Sequence, residues 1–557
     1  MSRVALVRPP QILPAATITT SQGVPSIGVA YLAGALKAAG HQVSVVDAFG
    51  EAVHRFRRLG DTGLLVNGLN AAEIVDRVPD DVDVIGVSCM YSNEWLYSNV
   101  VIGAILARFP GVPVVAGGEH ISADPEYALA SRPGMRCAVL GEGEETLIDL
   151  VEALETERSL TTVNGLAFVD RHGRLERTPA RKRIRDVDAI PLPSWDETPL
   201  EHYLSNGLGM ASVRGRSMPM IASRGCPYQC TFCSNPLMWT QRWIARTPRL
   251  VIDEMKLYIA KYAATRFEFY DLTTIVKREW ILEFTELLRR EGLSTTWALP
   301  SGTRSEALDA EVLARLKETG CHELCYAPES GSPTTLKRIK KEVKLPRMLS
   351  SMRAAVTNGI SVKTNMIVGF PGQTKREIAE SYWFLAKLAF VGVDDVAVFP
   401  FVPYPGSELF FRLVREGKIE RGGRGYERFL AENIYNELSR MKSWSEYVSD
   451  RQIKVLTVGG MVWFYLWQYA FRPWRVLRTI VRLASNRPKN MLERALDGVI
   501  RNFIGGRKRG VIDVEALTAA ANPEWPLPHD GDGPTAEPPQ RPEARSSGRA
   551  GSVSVNR

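Results

Sequence analysis

The run Ser223-Arg224-Gly225-Cys226-Pro227-Tyr228-Gln229-Cys230-Thr231-Phe232-Cys233 places three cysteines within eight residues, spaced C-x3-C-x2-C. It follows an apolar segment at 220–222 that reads as a strand, so the cysteines fall in a strand-end loop. Three thiolates this close can close around one metal cluster, and a fourth would complete a closed zinc or iron–sulfur site. No fourth cysteine lies nearby, and no His lies between 203 and 321. A four-metal cluster held here keeps one position open to an outside ligand, which suits a reactive centre better than a structural one. Three core cysteines by chance is the plain alternative, and the agreement of spacing with strand-to-loop context speaks against it.

Working outward, 217–415 alternates apolar runs with amphipathic stretches. Strands are expected at 266–270, 295–298, 323–327, 362–368 and 395–399, with helices such as 280–290 and 310–318 between them. Six such units make a partial (β/α) barrel that opens its site at the carboxyl ends of the strands. The first 150 residues show the same alternation, with strands at 4–7, 43–46, 84–87, 112–116 and 137–140 and helices at 27–39 (Ser26 as N-cap, Gly40 as stop) and 97–109. This pattern means a Rossmann-like, doubly wound parallel sheet with its ligand beyond the strand ends. The residues there are Arg8-Pro9-Pro10, Asp47, Ser88-Cys89-Met90, Gly117-Gly118-Glu119-His120 and Gly141-Glu142-Gly143-Glu144. No G-x-G-x-x-G follows the first strand, which disfavours a nicotinamide dinucleotide.

The cysteine run resembles the cluster loop of the radical S-adenosylmethionine (SAM) superfamily, including the aromatic Phe232 before the last cysteine. The resemblance implies a [4Fe–4S] cluster on Cys226, Cys230 and Cys233. It also implies SAM chelating the open iron and being cleaved to methionine and a 5′-deoxyadenosyl radical. Two further stretches match: Glu329-Ser330-Gly331 resembles the family's E-S-G turn, although Ala327-Pro328 precedes it in place of Gly-Ile or Gly-Val. Asn365 through Gly369-Phe370-Pro371-Gly372 resembles the strand and G-F-P-G loop beside adenine. With Phe232, these give Glu329, Ser330, Gly331, Asn365 and Gly369 as SAM-site residues. The strand-end glycines of the first domain resemble the cobalamin (B12)-binding subgroup. That likeness implies a corrin site near Pro9, Asp47, Ser88, Gly117, Gly118, His120, Gly141, Glu142 and Gly143. No D-x-H-x-x-G is present, so no histidine of that type would hold cobalt.

The expected organisation is a cobalamin-binding domain at 1–150, a linker region at 151–215 with a hairpin-type turn at Asn164-Gly165, and a radical SAM barrel at 216–425. A basic, aromatic helical region at 426–515 and a disordered, Pro/Gly/Ser-rich tail at 516–557 follow. The implied activity is C-methylation of an unactivated carbon, with hydrogen abstraction by the 5′-deoxyadenosyl radical and methyl transfer from methylcobalamin. Radical cyclisation, rearrangement or oxidation, as in a tetrapyrrole cyclase, is the alternative on the same cofactors. A cluster or cobalamin sensor without turnover is the alternative of another class. A small-molecule substrate, hydrophobic or lipid-like in one reading, and a flavodoxin or ferredoxin as electron donor complete the expected partners.

The 557 residues are 45% hydrophobic and 24% charged, ordinary for globular domains, which rules out disorder throughout. The seven cysteines are odd in number and no signal peptide is evident, which points to a reducing cytoplasm. The net charge of +8 is local: between 471 and 510 there are 11 Lys/Arg and 2 Asp/Glu. A nucleic-acid partner is not expected, for want of any supporting motif. The uncharged stretch 455–471 reads either as a helix packed on the barrel or, with the following arginines, as a peripheral contact through 455–485 at the inner membrane surface. Cys321-His322-Glu323-Leu324-Cys325 reads as a core strand. Asp271, Arg304 and Tyr404 are rim candidates, Asp271 equally well a turn cap.

Overall fold

The computed structural model describes residues 1–14, 23–211, 215–434 and 440–485, with 490, 492, 493 and 496. Two parallel sheets organise it. The first contains β1 (Arg3–Arg8), β2 (Gln42–Asp47), β3 (Val84–Ser88), β4 (Val114–Gly117), β5 (Cys137–Val139), β6 (Leu166–Val169) and β7 (Leu175–Arg177). Their order is β7-β6-β5-β4-β3-β1-β2, with β1 to β5 parallel and β6 and β7 antiparallel. The 2-1-3-4-5 order is doubly wound and puts its switch point between β1 and β3, where a ligand crevice belongs.

The β1 core residues are apolar on both faces because helices cover both sides. Val4 and Leu6 meet helix α1 (Ile27–Ala38), while Ala5 and Val7 meet the helix Trp95–Arg108. Ser26 stands at the N-cap of α1, but its side chain makes no capping bond; its carbonyl accepts from Ala30 N instead.

The sheet does not stop near residue 150. The stretch expected as a linker supplies β6 and β7. Their hairpin turns at 170–174, not at Asn164-Gly165. Asp170 Oδ1 accepts from His172 N and Arg174 N, each at 2.8 Å, and so closes the turn, whereas Asn164-Gly165 only leads into β6.

The second sheet runs in chain order: β8 (Ser217–Met220), β9 (Arg266–Phe269), β10 (Thr296–Thr303), β11 (Cys321–Glu329), β12 (Ser361–Val368) and β13 (Asp395–Pro400). All neighbours are parallel, and β8 does not pair with β13, so this is an open six-stranded partial barrel. The strand before the cysteines ends at Met220, two residues short of the expected end. Ala222 N is then taken by Asp271 rather than by a strand neighbour.

Helix α2 (Lys375–Val391) opens on a Thr374/Glu377 capping box and covers the barrel's far flank. Helix α3 (Asp450–Phe471) packs on α2 and β13 through Phe464, Tyr465 and Gln468. No described helix is long and apolar enough to cross a membrane. Helix α4 (Trp474–Ala484) follows. The tail expected from 516 lies outside the described residues. The two sheets share a core: Phe370 and Phe401 of the barrel join the cluster containing Val87 of the first sheet and Ile105 of the helix Trp95–Arg108.

Candidate functional site

The cysteine loop lies between the two sheets, held at both ends by strand-end loops of the first. Ahead of it, Arg224 reaches Glu142 (3.3 Å) and Glu144 after β5, and Arg183 joins Glu142 at 2.7 Å. Behind it, Ser234 Oγ donates to Glu119 after β4. Gly225 is required here: its φ is +83°, and a Cβ would stand 2.2 Å from the Arg242 carbonyl. On the barrel side, buried Asp271 accepts from Ala222 N (3.2 Å) and Ser223 Oγ (2.5 Å). Burial lifts the Asp271 carboxyl to about 6, against the pull of those bonds. It thus anchors the loop rather than facing outward.

All three cysteines are free and partly buried. Burial pushes each thiol up, Cys233 to about 12. Lys341 and Arg304 pull Cys226 and Cys230 the other way. A buried thiol that resists ionisation gives up its proton when a metal takes its place. Among the described residues no three His, Cys, Asp or Glu side chains converge at single-ion distance. Thiolates that each bind a different iron need no such convergence, so the loop fits a cluster.

The SAM-site candidates divide. Glu329 ends β11 with φ +65°, a strained conformation for a non-glycine residue, costing about 1–3 kcal/mol and typical of ligand sites. Its carboxylate meets Lys341 at 3.0 Å beside Cys230. Burial raises it and Lys341 lowers it. Ser330 and Gly331 turn away instead: the Ser330 hydroxyl lies 3.1 Å from that of Ser381 on α2, and Gly331 N donates to the same oxygen. Asn365 Nδ2 lies 3.4 Å from Cys325 Sγ, and Gly369 N donates to Gln373 at 2.7 Å. The Phe232 ring sits 5.7 Å from Phe370. Cys321, Glu323 and Cys325 are buried on β11, with Glu323 paired to Lys363 at 2.9 Å, as a core strand requires.

Around the first sheet, Pro9, Ser88, Gly117, Gly141 and Gly143 all lie at strand ends, and Gly141 has only the Met238 carbonyl within 4 Å of where a Cβ would stand. Gly118 serves the fold: its φ is +114°, and a Cβ would sit 2.5 Å from the Cys89 carbonyl. Asp47 is fully engaged by Arg8, the Tyr203 hydroxyl (2.6 Å) and Gly50 N (2.9 Å). Glu142 belongs to the arginine clamp. His120 is sealed in, 1% exposed, with Nδ1 3.0 Å from Ser92 Oγ and its ring 4.8 Å from Trp95. Burial drives it down to about 3, so it is neutral, and its Nε2 is buried without a partner among the described residues.

At the β1/β3 switch point, Met90 and Tyr91 are 41% and 51% exposed. Tyr91 interacts electrostatically with Glu94, Arg8 and Glu119, and with Tyr270 at the end of β9. Burial lifts Glu94 to about 7 despite Arg8. With Met90 and Tyr91 exposed and glycines at the neighbouring strand ends, this surface can accept a flat macrocycle. Residues 14–151 match the B12 binding domain, and residues 220–385 match the radical SAM superfamily.

The chain belongs to the B12-binding radical SAM enzymes. These domains imply a [4Fe–4S] cluster, SAM and cobalamin as its cofactors. The chain is 29% identical over 409 residues to an uncharacterized methyltransferase of Pyrococcus horikoshii, covering 73% of this chain and 82% of that one. It is 27% identical over 441 residues to the cytidylyl-2-hydroxyethylphosphonate methyltransferase of Streptomyces wedmorensis, covering 74% and 82%. To the anaerobic magnesium-protoporphyrin IX monomethyl ester cyclase of Rubrivivax gelatinosus it is 27% identical over 396 residues, covering 70% and 66%. Among solved structures, the radical SAM methyltransferase TsrM from Kitasatospora setae, with cobalamin and a [4Fe–4S] cluster bound, shares the fold. Its TM-score is 0.56 at 18% identity, over 76% of each chain.

Sequence reading missed Arg224, Ser234 and Lys341, whose roles appear only across the two sheets. Arg304, expected at the rim, is 6% exposed, with its guanidinium 3.3 Å from the Tyr228 ring centroid. Tyr404 is half-buried, and its carbonyl accepts from Ser407.

Proposed function

We propose that this enzyme methylates an unactivated carbon of a small-molecule substrate, with Cys226, Cys230 and Cys233 holding the cluster. The observation that carries the reading is the double bracket on the cysteine loop. Arg224 and Ser234, flanking the cysteines, both bond to strand-end loops of the B12-binding domain. Two reactive centres that must meet on one substrate are thereby held at close range, which is where proximity contributes most. When bound, the cluster with SAM supplies a carbon-centred radical and the corrin supplies a methyl group.

The chain's own residues bind, orient and exclude water. Lys341 pairs with Glu329 beside the cluster loop, where the pair is placed to meet the polar amino-acid end of SAM. Asn365, Gly369 and Phe232 frame the rest of that molecule. Gly117, Gly141 and Gly143, with Pro9 and Ser88, present backbone to the corrin, while Asp271 fixes the start of the loop.

A non-methylating radical reaction is the second reading, favoured by the likeness to the cyclase. The substrate is hydrophobic or lipid-like in this proposal, and a flavodoxin or ferredoxin supplies electrons. The protein also makes peripheral contact with the inner membrane surface through 455–485. The test is anaerobic reconstitution with cobalamin, followed by the visible spectrum, iron content and product mass. About four irons per chain with retained corrin bands, and a product heavier by one methylene, are expected. A cluster without corrin, or a product of unchanged mass, overturns methylation.

A further inference from the structure

Helix α4 turns its polar side inward. Its buried residues are Arg475 and Thr479, while Trp474, Leu477, Ile480 and Val481 are 56–66% exposed. At 100° per residue the outward apolar positions fill an arc of about 120°, opposite the buried pair. The end of α2 supplies the reason. Arg472 donates to the Ala389 (2.7 Å) and Phe390 (3.0 Å) carbonyls, and Arg475 donates to those of Gly392 (2.9 Å) and Val393 (3.0 Å). Ala389 and Phe390 belong to the last turn, whose carbonyls a helix end leaves short of partners, and Gly392 and Val393 follow it directly. Satisfying them fixes the polar face of α4 against the barrel and leaves the apolar face outside.

That face is not isolated. The Phe471 ring lies 5.3 Å from Phe390, itself 55% exposed, and 5.4 Å from Trp467. Cations rim it: Arg478, with its side chain 45% exposed, Arg353 over Phe390 and Lys387 over Trp383. No carboxylate occurs in the sequence between Asp450 and Glu493, where eight Lys and Arg do. Arg478 approaches Asp394 at 3.9 Å, but the segment keeps a net positive charge, and aromatic and aliphatic side chains beside net positive charge suit the headgroup boundary of an anionic bilayer. A second copy of this chain would bring the same positive charge against itself.

We propose that the outward face of α4, continued by Phe471 and Phe390, docks on an anionic lipid surface. The proposal rests on the peripheral contact proposed above and names its face and its lipid chemistry. It also fixes an orientation. Ile453, at the start of α3, lies against Gly369 at the carboxyl end of β12, whereas Tyr465 bonds Asp395 at the amino end of β13. Helix α4 therefore sits at the barrel end opposite the site, and docking leaves the site uncovered.

The test uses the full-length, cofactor-loaded protein in vesicle sedimentation, comparing phosphatidylcholine with phosphatidylcholine plus phosphatidylglycerol. At least tenfold tighter binding to the anionic vesicles is expected. The Leu477→Ser/Ile480→Ser variant should bind them at least tenfold more weakly with unchanged cluster and corrin absorbance. Brominated lipid should quench tryptophan fluorescence in the parent but less with Trp474→Phe. Equal binding to both vesicles overturns the anionic selectivity and leaves the peripheral contact standing. Undiminished binding by the double variant overturns this face and likewise leaves the contact. Binding to neither removes both, and self-association abolished by the double variant, without vesicle binding, assigns the face to a second copy.

Discussion

The strand-end surfaces of the two sheets face one another but use their polar residues differently. On the barrel, the three cysteines are free, with raised thiols and cations nearby. On the first sheet, most charged residues are already engaged: Asp47 with Arg8 and Tyr203, Glu142 and Glu144 with arginines, Glu119 with Ser234. One surface reserves its side chains for a cofactor; the other uses them to hold the protein together and leaves backbone and apolar surface for its ligand. The difference predicts that single substitutions on the barrel side abolish binding of a cofactor outright, while those on the first sheet act through stability and docking.

The largest effect tests the reserved surface. Cys230→Ala should lower iron from about four per chain to near zero after reconstitution, with 5′-deoxyadenosine production lost. Corrin absorbance should stay, since the first sheet is untouched. Loss of corrin together with iron would break the division of labour.

Next, Arg224→Met leaves Glu142 and Glu144 buried, with Arg183 as the remaining ion-pair partner of Glu142 among the described residues. Removing one partner of a buried ion pair costs about 3–5 kcal/mol, to be read as a lowered denaturant midpoint. Corrin retention should fall with it, because Arg224 joins the domains. An unchanged midpoint would show that the clamp contributes nothing.

The smallest effect concerns pH. Burial holds Asp271 at about 6, above the ordinary value near 4, so the folded chain keeps a proton that the unfolded chain has released. Stability should fall as pH rises from about 4 to 6 and then level off, by on the order of 1–3 kcal/mol in total. Asp271→Asn should flatten that slope, measured as unfolding midpoints across the range.

The same contrast explains what was legible in the sequence. The proposed cluster ligands Cys226, Cys230 and Cys233 could be read because a cluster fixes both residue type and spacing within one loop. The parallel sheets followed from strand–helix alternation, which is also local. Glu142 and Asp47 read as ligand contacts because strand ends are where ligands bind; their arginine partners lie 39 to 82 positions away. The stretch 151–215 read as a linker because the two short strands in it pair antiparallel at an edge, where three or four residues suffice and leave little periodicity. Helix α4 was read for its charge, and only the α2 carbonyls reveal that two of its neighbouring arginines face inward.

The short hairpin of β6 and β7 has a consequence for how the chain survives synthesis. A parallel sheet ending at β5 would offer a buried-type, hydrophobic edge to any other chain nearby. The hairpin covers that edge and ends it in Leu175-Glu176-Arg177, three residues with two charges, the last paired to Glu126. So brief and charged a border is a poor template for strand addition. The sheet can thus wait for its cofactor without recruiting neighbours into aggregates.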